Sequence, residues 1–170
     1  MSSLEIDTTA GRFTIQLYAA QAPHTCHYYR TIAVNGSLHG GSAFRITTTS
    51  NESKATNYPI HVVQFGTENG FNEQRSIIEH ESTDRTGLQH RRWTVSASRY
   101  APGELYGSFF VCMRDEPALD FGGDRSGDGL GFSAFGQVMT GHQTLEKMYA
   151  RAEDDEILAR PIPITGVGVD

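Results

Sequence analysis

The sequence has few cysteines, no long apolar segment and no targeting pattern. Its 170 residues include two cysteines, Cys26 and Cys112, each beside apolar or aromatic neighbours. We therefore expect free, buried thiols, although the sequence leaves a disulfide open. No apolar stretch approaches the length of a membrane span, and the stretch MSSLEIDTTAG lacks the charged and apolar regions of a signal peptide. We expect a cytoplasmic protein with no membrane partner.

Positive charge and metal-binding patterns are also scarce. The formal net charge is −6, and no run of lysine or arginine forms a basic stripe, so we expect no nucleic-acid partner. His24 and His27 can share a helix face, but no carboxylates or cysteines accompany them at ligand spacing. The glycine-rich segment 122–131 lacks the carboxylate spacing of a calcium-binding EF-hand loop. We expect no metal and no cofactor.

The chain does contain a series of short apolar runs with the periodicity of strands. Residues 4–8 alternate apolar and polar side chains, and residues 13–17 do so again after a turn at Ala10 and Gly11. This pattern predicts a hairpin with one buried face. Further strands are predicted at 44–47, 60–65, 93–98, 109–113, 132–138 and 162–169, the last with a bulge at Gly166.

Two helices are predicted, one early and one late. Pro23 stands where a helix would begin and Gly36 where one would end, and the residues between them have apolar side chains at helical spacing. Residues 140–151 have the same spacing at Leu145, Met148 and Tyr149. Many strands and two helices indicate a mainly β core with helical caps.

Polar, irregular sequence connects these elements and predicts surface loops. Two such segments are 48–58 and 69–92. Internal repeats and linker-like composition are absent from the sequence. We therefore expect one domain over residues 1–170.

Five blocks of this sequence occur in the order typical of one known family. They are SAFRI at 42–46, VVQFG at 62–66, GLQHRRWTVSASR at 87–99, SFFV at 108–111 and FSAFGQV at 132–138. Together they resemble the cyclophilin-type peptidyl-prolyl cis/trans isomerases, from about residue 4 to residue 169. The LDFGG sequence at 119–123 is similar to a loop of a bacterial branch. The resemblance implies a cyclophilin-like fold, a closed eight-stranded antiparallel β-barrel capped by two α-helices.

Prolyl isomerisation needs no nucleophile, metal or cofactor. Amide resonance opposes the rotation with a barrier of about 20 kcal/mol. As the bond twists, the prolyl nitrogen gains a lone pair, which a fixed cationic donor stabilises in the twisted state alone. An apolar pocket must also seat the proline ring and exclude water. The chemistry therefore requires one cationic donor, a group that orients it, and a set of apolar side chains.

Arg45 and Gln64 match the catalytic residues of the family. The resemblance implies that Arg45 donates to the twisted amide, and that Gln64 binds the peptide backbone or holds the guanidinium. From the residues alone, two other interpretations of Arg45 stay open. Strand alternation can direct it to solvent, or it can belong to a structural ion pair.

The resemblance also implies a proline pocket made of Phe110, Leu119 and Phe132, which by composition alone are ordinary core residues. Around it the sequence departs from the best-known members: His61 and Val62 replace an aromatic residue and a methionine, Ser108 a glutamine, Ala118 a tryptophan, and Ser98–Arg99 an alanine–asparagine pair. We expect His61, Val62, Ser98 and Ser108 to contact the substrate. The pocket would then be smaller and more polar and would bury less proline surface.

We expect a peptidyl-prolyl cis/trans isomerase that acts on X-Pro bonds of proline-containing peptides or unfolded proteins and assists folding. Its activity would be reduced or altered, and the protein a monomer. Two other classes stay open: a proline-peptide binding module without turnover, if His61, Ser108 and Ala118 leave no apolar seat, and a β-barrel carrier of small apolar ligands. A carrier needs a hollow barrel, whereas the aromatic residues here predict a filled one.

Overall fold

The computed structural model describes residues 2–67 and 74–170, which contain nine strands and four α-helices. The strands are β1 Ser3–Thr8, β2 Gly11–Leu17, β3 Ser42–Thr47, β4 Val62–Gly66, β5 Arg75–Ile77, β6 Thr94–Arg99, β7 Glu104–Cys112, β8 Ala134–Thr140 and β9 Ile157–Val169. All their pairings are antiparallel, and eight strands close into a ring in the order β4, β3, β9, β1, β2, β8, β6, β7. Strand β5 pairs with β7 outside that ring. The predicted closed eight-stranded barrel is therefore confirmed.

Alternation along the strands directs apolar side chains into the barrel. In β1 and β2 the buried positions are every second residue, as the predicted hairpin requires. Strand β9 changes register between the partners of Asp7 and Thr8, which are Gly166 and Ile164. The predicted irregularity near Gly166 is confirmed, and it bends the longest strand around the barrel.

Two helices pack on the barrel, near the predicted places. Helix α1, Pro23–Val34, packs on β8 and β9, and helix α4, His142–Tyr149, packs on β2 and β4. Helix α4 begins later than predicted because Thr140 still pairs with Thr14 in the sheet. Gly141 then turns the chain with a φ of +86°, a conformation that favours glycine.

Two further one-turn helices lie in segments that the sequence predicts as loops. They are α2, Thr49–Glu52, and α3, Thr83–Thr86. In α2 the Thr48 hydroxyl accepts from the Asn51 amide, and the Asn51 side chain accepts from the Thr48 amide. This capping box stabilises a helix too short to show a period in sequence. Of the predicted loop 69–92, residues 69–73 lie outside the described residues, and the rest contains β5 and α3.

The barrel interior is filled with aromatic side chains. The largest fully buried residues are Tyr29, Phe13, Phe65, Phe109 and Phe135. Tyr29 stacks on Phe135 with ring centroids 4.3 Å apart, and Phe65 stacks on Phe109 at 5.0 Å. This packing argues against a barrel that carries ligands inside.

Cys26 and Cys112 are free and buried, so the expected thiol state is confirmed. Burial raises the pKa of Cys26 to about 12 and the pKa of Cys112 well above its usual range. None of the helices in the described residues is long and apolar enough to cross a bilayer.

Candidate active site

A cavity of about 180 Å³ lies on the outer face of the barrel wall formed by β3, β4, β6 and β7. Its lining residues are Arg45, Ile60, Val62, Gln64, Ser98, Arg99, Tyr106, Phe110, Leu119, Arg125 and Phe132. Seven of the nine residues that the sequence proposed for the site are among them. His61 and Ser108 are not.

Strand alternation explains why these side chains leave the barrel core. Along β4 the side chains of Val63 and Phe65 belong to the core, whereas Val62 and Gln64 line the cavity. Across the pairing β4–β7, Gln64 lies opposite Phe110. The two faces of one barrel wall therefore serve different purposes, one packing the core and the other lining the cavity.

The apolar part of the cavity is a small cluster separate from the barrel core. Phe110 and Leu119 are 5% and 0% exposed, and Phe132 meets Phe110 edge to face with centroids 5.9 Å apart. Ile60 and Val62 complete the cluster beside Cys112. Aromatic and aliphatic side chains in this arrangement give a small saturated ring such as that of proline an apolar place to bind.

A β-bulge turns Arg45 out of the barrel. By simple alternation Arg45 would share the inward face of Ala43, but the register shifts between these two residues. Arg45 lies opposite Gln64 in β4 and opposite Ile157 in β9. The guanidinium consequently lines the cavity and does not point into bulk water, since its side chain is 23% exposed.

Arg45 is held by an amide and two carboxylates. Its Nη1 donates to Gln64 Oε1 at 3.0 Å, and its Nε and Nη2 donate to Glu156 Oε2 at 3.1 and 2.9 Å. Nη2 also donates to Glu52 Oε2 at 3.2 Å. Arg45 therefore lines the cavity and also belongs to a structural ion pair, so these two interpretations do not exclude each other.

Glu52 is a buried acid shared between two guanidinium groups. Its side chain is 2% exposed, and Arg125 donates to both of its oxygens at 2.9 and 2.7 Å. The backbone amide of Ile60 donates to it as well, at 2.8 Å. Burial alone would raise the pKa of Glu52, but the hydrogen bonds from Arg125 and Ile60 outweigh it and hold that pKa below its usual value.

Hydrogen bonds fix the orientation of Gln64. Its Nε2 donates to Ser108 Oγ at 2.9 Å and to Ser98 Oγ at 3.2 Å. Ser108 is fully buried and donates in turn to the Phe65 carbonyl at 2.7 Å. With the amide nitrogen bonded to serines, its oxygen is left to accept from Arg45. Ser108 therefore supports Gln64 from below and does not reach the cavity.

His61 also lies outside the cavity, and alternation is the reason. Ile60, Val62 and Gln64 share one face at a spacing of two residues, so the His61 ring takes the other. Its Nδ1 lies 2.8 Å from Glu116 and its Nε2 lies 2.8 Å from Thr49. Burial raises the pKa of Glu116, and the contact with His61 opposes that rise.

Arg99 closes one side of the cavity over Phe132. Its guanidinium lies 4.8 Å from the centre of the Phe132 ring and donates to Asp128 at 2.9 Å and to the Gly131 carbonyl at 2.8 Å. The hydrogen bond from Arg99 lowers the pKa of Asp128 to about 2. Such a cation–π contact stabilises the ring in one orientation.

A buried histidine fixes the segment that carries Leu119. His90 Nδ1 lies 2.7 Å from Asp120 and His90 Nε2 lies 2.8 Å from Ser96 Oγ. Asp120, His90 and Ser96 are the residue types of a nucleophilic triad, but Ser96 is fully buried and its hydroxyl cannot reach a substrate. This arrangement ties the 3-10 helix Pro117–Leu119 to strand β6 and thereby positions the Leu119 side chain.

Sequence reasoning missed several residues that line or support the cavity, among them Ile60, Tyr106, Arg125, Glu52 and Glu156. Ile60 was detectable, because it lies two residues before Val62, just ahead of β4, and continues the alternation of that strand. Tyr106, Arg125 and Glu52 carried no signal in the sequence. Tyr106 and Arg125 line the cavity and Glu52 holds Arg125 from behind it, and all three positions depend on contacts between segments that are far apart in the chain.

The fold and the cavity define a class of protein: a closed β-barrel whose outer wall carries a cationic donor and an amide beside an apolar seat. The family model described as cyclophilin type peptidyl-prolyl cis-trans isomerase/CLD matches residues 3–169. The chain therefore belongs to the cyclophilin-type peptidyl-prolyl cis/trans isomerase family, whose members are enzymes.

Individual relatives agree with this assignment at low identity. The chain is 26% identical over 151 residues to peptidyl-prolyl cis-trans isomerase-like 1 of Aspergillus niger, covering 86% of this chain and 81% of that protein. It is 25% identical over 150 residues to peptidyl-prolyl cis-trans isomerase cyp18 of Streptomyces antibioticus, covering 86% and 82%. Among solved structures, a Cryptosporidium parvum cyclophilin type isomerase, crystallised in the presence of the dipeptide Ala-Pro, superposes with a TM-score of 0.77 at 16% identity, covering 99% and 98%.

Proposed function

We propose that this chain isomerises X-Pro bonds of flexible or unfolded polypeptides in the cavity beside Arg45. The observation that carries the proposal is the position of the Arg45 guanidinium. It lines the same cavity as Phe110 and Phe132 and is anchored there by Gln64 at 3.0 Å. A proline ring on the aromatic cluster would bring its nitrogen close to that cation.

The proposed mechanism stabilises the twisted amide. In both planar isomers the prolyl nitrogen lone pair is delocalised into the carbonyl, so it accepts no hydrogen bond. In the twisted state the lone pair is localised on the nitrogen, and a donor fixed in advance lowers the barrier without having to reorganise. Arg45 would supply that donor, Gln64 would orient it, and Phe110, Leu119, Phe132 and Val62 would seat the ring.

The surroundings of Arg45 support a reduced or altered activity. Of its five N–H groups, three donate to the carboxylates of Glu52 and Glu156 and one to Gln64. The carboxylates also offset part of the positive charge that would act on the prolyl nitrogen. We therefore expect slower exchange than a guanidinium free of carboxylate partners would give.

The same observation favours a second candidate, a proline-peptide binding module without turnover. If the carboxylates neutralise too much of the positive charge of Arg45, the apolar seat still binds the proline ring, but Arg45 no longer stabilises the twisted state. The Cryptosporidium isomerase was crystallised in the presence of Ala-Pro, and we propose that this chain binds proline-containing peptides in its cavity as well.

One NMR experiment separates the two candidates. Exchange between the cis and trans peaks of an Ala-Pro peptide is measured with the wild type, with Arg45→Ala and with Arg91→Gln. Arg91 is a surface arginine that bonds Gln89, and it serves as the matched control. Catalysed exchange that Arg45→Ala abolishes and Arg91→Gln retains supports the enzyme. Shifted peptide peaks without exchange select the binding module.

The finer family placement is also a proposal. We infer that the chain belongs to a bacterial branch of the family, and the LDFGG sequence at residues 119–123 supports this. In the structure this segment contains Leu119 of the apolar seat and Asp120, the partner of His90.

A further inference from the structure

Three arginines line the cavity, and among the residues that the structure describes, 2–67 and 74–170, no acidic residue does. Arg45 comes from β3, Arg99 from β6, and Arg125 from the glycine-rich segment after the 3-10 helix. Their carboxylate partners, Glu52, Glu156 and Asp128, are absent from the cavity lining. A ligand in the cavity therefore meets guanidinium groups directly and carboxylates only behind them.

Arg125 keeps hydrogen-bond donors for a ligand. Its terminal nitrogens donate to Glu52 and to the Tyr58 carbonyl, at distances between 2.7 and 3.0 Å. In the described parts of the chain, 2–67 and 74–170, no acceptor takes its Nε–H. Its side chain is 16% exposed, so an unpaired donor here gains more from an ionised partner than it would in open water.

Glu52 gives Arg125 a fixed position next to Arg45. One carboxylate bonds both guanidinium groups, which places two cationic side chains at adjoining parts of the cavity wall. These two guanidinium groups favour a ligand with a negatively charged side chain at that place and disfavour one with a positively charged side chain. An uncharged ligand side chain at that place gains less binding free energy from either guanidinium group than a carboxylate does.

The charge of the whole chain acts in the opposite direction. The formal net charge is −6, so at long range the protein repels acidic peptides. A preference for a carboxylate can therefore come only from groups near the cavity. It must weaken when salt screens that local field.

We propose that the cavity prefers peptides in which aspartate or glutamate is next to the proline, and that Arg125 binds this carboxylate. The inference rests on the proposed function, since it assumes that the proline ring occupies the apolar seat. It names Arg125 as a specificity residue and Glu52 as the residue that positions it.

The test uses blocked peptides that differ only in charge. Ala-Glu-Pro-Ala is compared with Ala-Gln-Pro-Ala, and Ala-Pro-Glu-Ala with Ala-Pro-Gln-Ala, so that shape is matched and no terminal carboxylate is present. For each peptide, NMR shifts give the Kd and peak exchange gives kcat/KM. The wild type is measured beside Arg125→Gln, with Arg91→Gln as the surface control.

We expect the glutamate peptide of at least one pair to be favoured about fivefold in Kd and in kcat/KM, which corresponds to about 1 kcal/mol at 25 °C. Arg125→Gln should remove the preference, and Arg91→Gln should retain it. In the unmodified protein the preference should also weaken in about 1 M salt, where the screening length is about 3 Å. The salt series does not depend on whether the Arg125 variant folds.

Equal constants for glutamate and glutamine peptides would overturn the inference. So would a preference that survives Arg125→Gln and does not weaken in high salt. The proposed function is judged separately from the same samples, because catalysed exchange of the glutamine peptides supports it whatever the charge preference. A glutamate preference in Kd without exchange of any peptide would support the inference on binding and refute the enzymatic proposal.

Discussion

Replacing Glu52 by glutamine removes the charge that joins two arginines at the cavity. The carboxylate is 2% exposed and accepts from Arg45, from Arg125 and from the Ile60 amide. Removing one partner of a buried ion pair destabilises a protein by about 3–5 kcal/mol. Arg45 retains Glu156 and Gln64, and both guanidinium groups reach some solvent, so we expect the lower end, about 3 kcal/mol. The amide would also turn one donor toward two cations.

Urea denaturation at neutral pH measures this loss. With a slope of about 2 kcal/mol per molar urea, Glu52→Gln should lower the midpoint by about 1.5 M without changing the slope. The matched control is Glu146→Gln, since Glu146 pairs with Arg92 at 3.0 Å with both side chains 52% exposed. That exposed pair should contribute less than about 1 kcal/mol. Equal midpoint shifts for the two variants would refute the conclusion that Glu52 forms buried, stabilising ion pairs with Arg45 and Arg125.

Three other results follow from the structure. In acid unfolding, Asp128→Asn should be less stable than the wild type above about pH 4, and this difference should disappear as the pH falls through 2. The reason is that the pKa of Asp128 lies at about 2 against an ordinary 3.8, so its pairing with Arg99 stabilises the wild type only while the carboxylate is ionised. In a thiol-reagent assay at pH 8, Cys26 and Cys112 should stay unreacted in the native protein and react after denaturation, because both are buried and have raised pKa values. His61→Ala should lower the free energy of unfolding by about 1–3 kcal/mol, since it removes the imidazole from the part-buried Glu116 carboxylate and leaves that carboxylate only the backbone amide of residue 61, while an unchanged peptide Kd would show that the ring lies outside the cavity; a weakened Kd at unchanged stability would contradict this placement.

Patterns local in sequence predicted most of the barrel. Alternation in β1 and β2 specifies which face is buried, and proline and glycine mark the ends of the first helix near Pro23 and Gly36. Alternation carried one step further also explains why Ile60 lines the cavity and His61 does not.

The parts that sequence could not predict depend on contacts across the chain. In the sequence Glu52 is one polar residue in a polar segment. Only the fold shows that its carboxylate lies between Arg45 and Arg125. Helix α2 has one turn, which is too short for a period to be visible. The β-bulge that turns Arg45 outward leaves no mark in the sequence either, because it depends on the partner strands.

The pairing of Arg45 with Gln64 has a consequence for how this site can change. The two residues are 19 positions apart in the chain, yet they face each other directly across neighbouring strands of a closed ring. Closure of the ring sets their separation, and the length of the connection between the strands does not. That connection contains Glu52, the acid that holds a second cation at the cavity. Substitutions in the joining segment can thus change what the cavity binds while Arg45 and Gln64 stay where the barrel holds them.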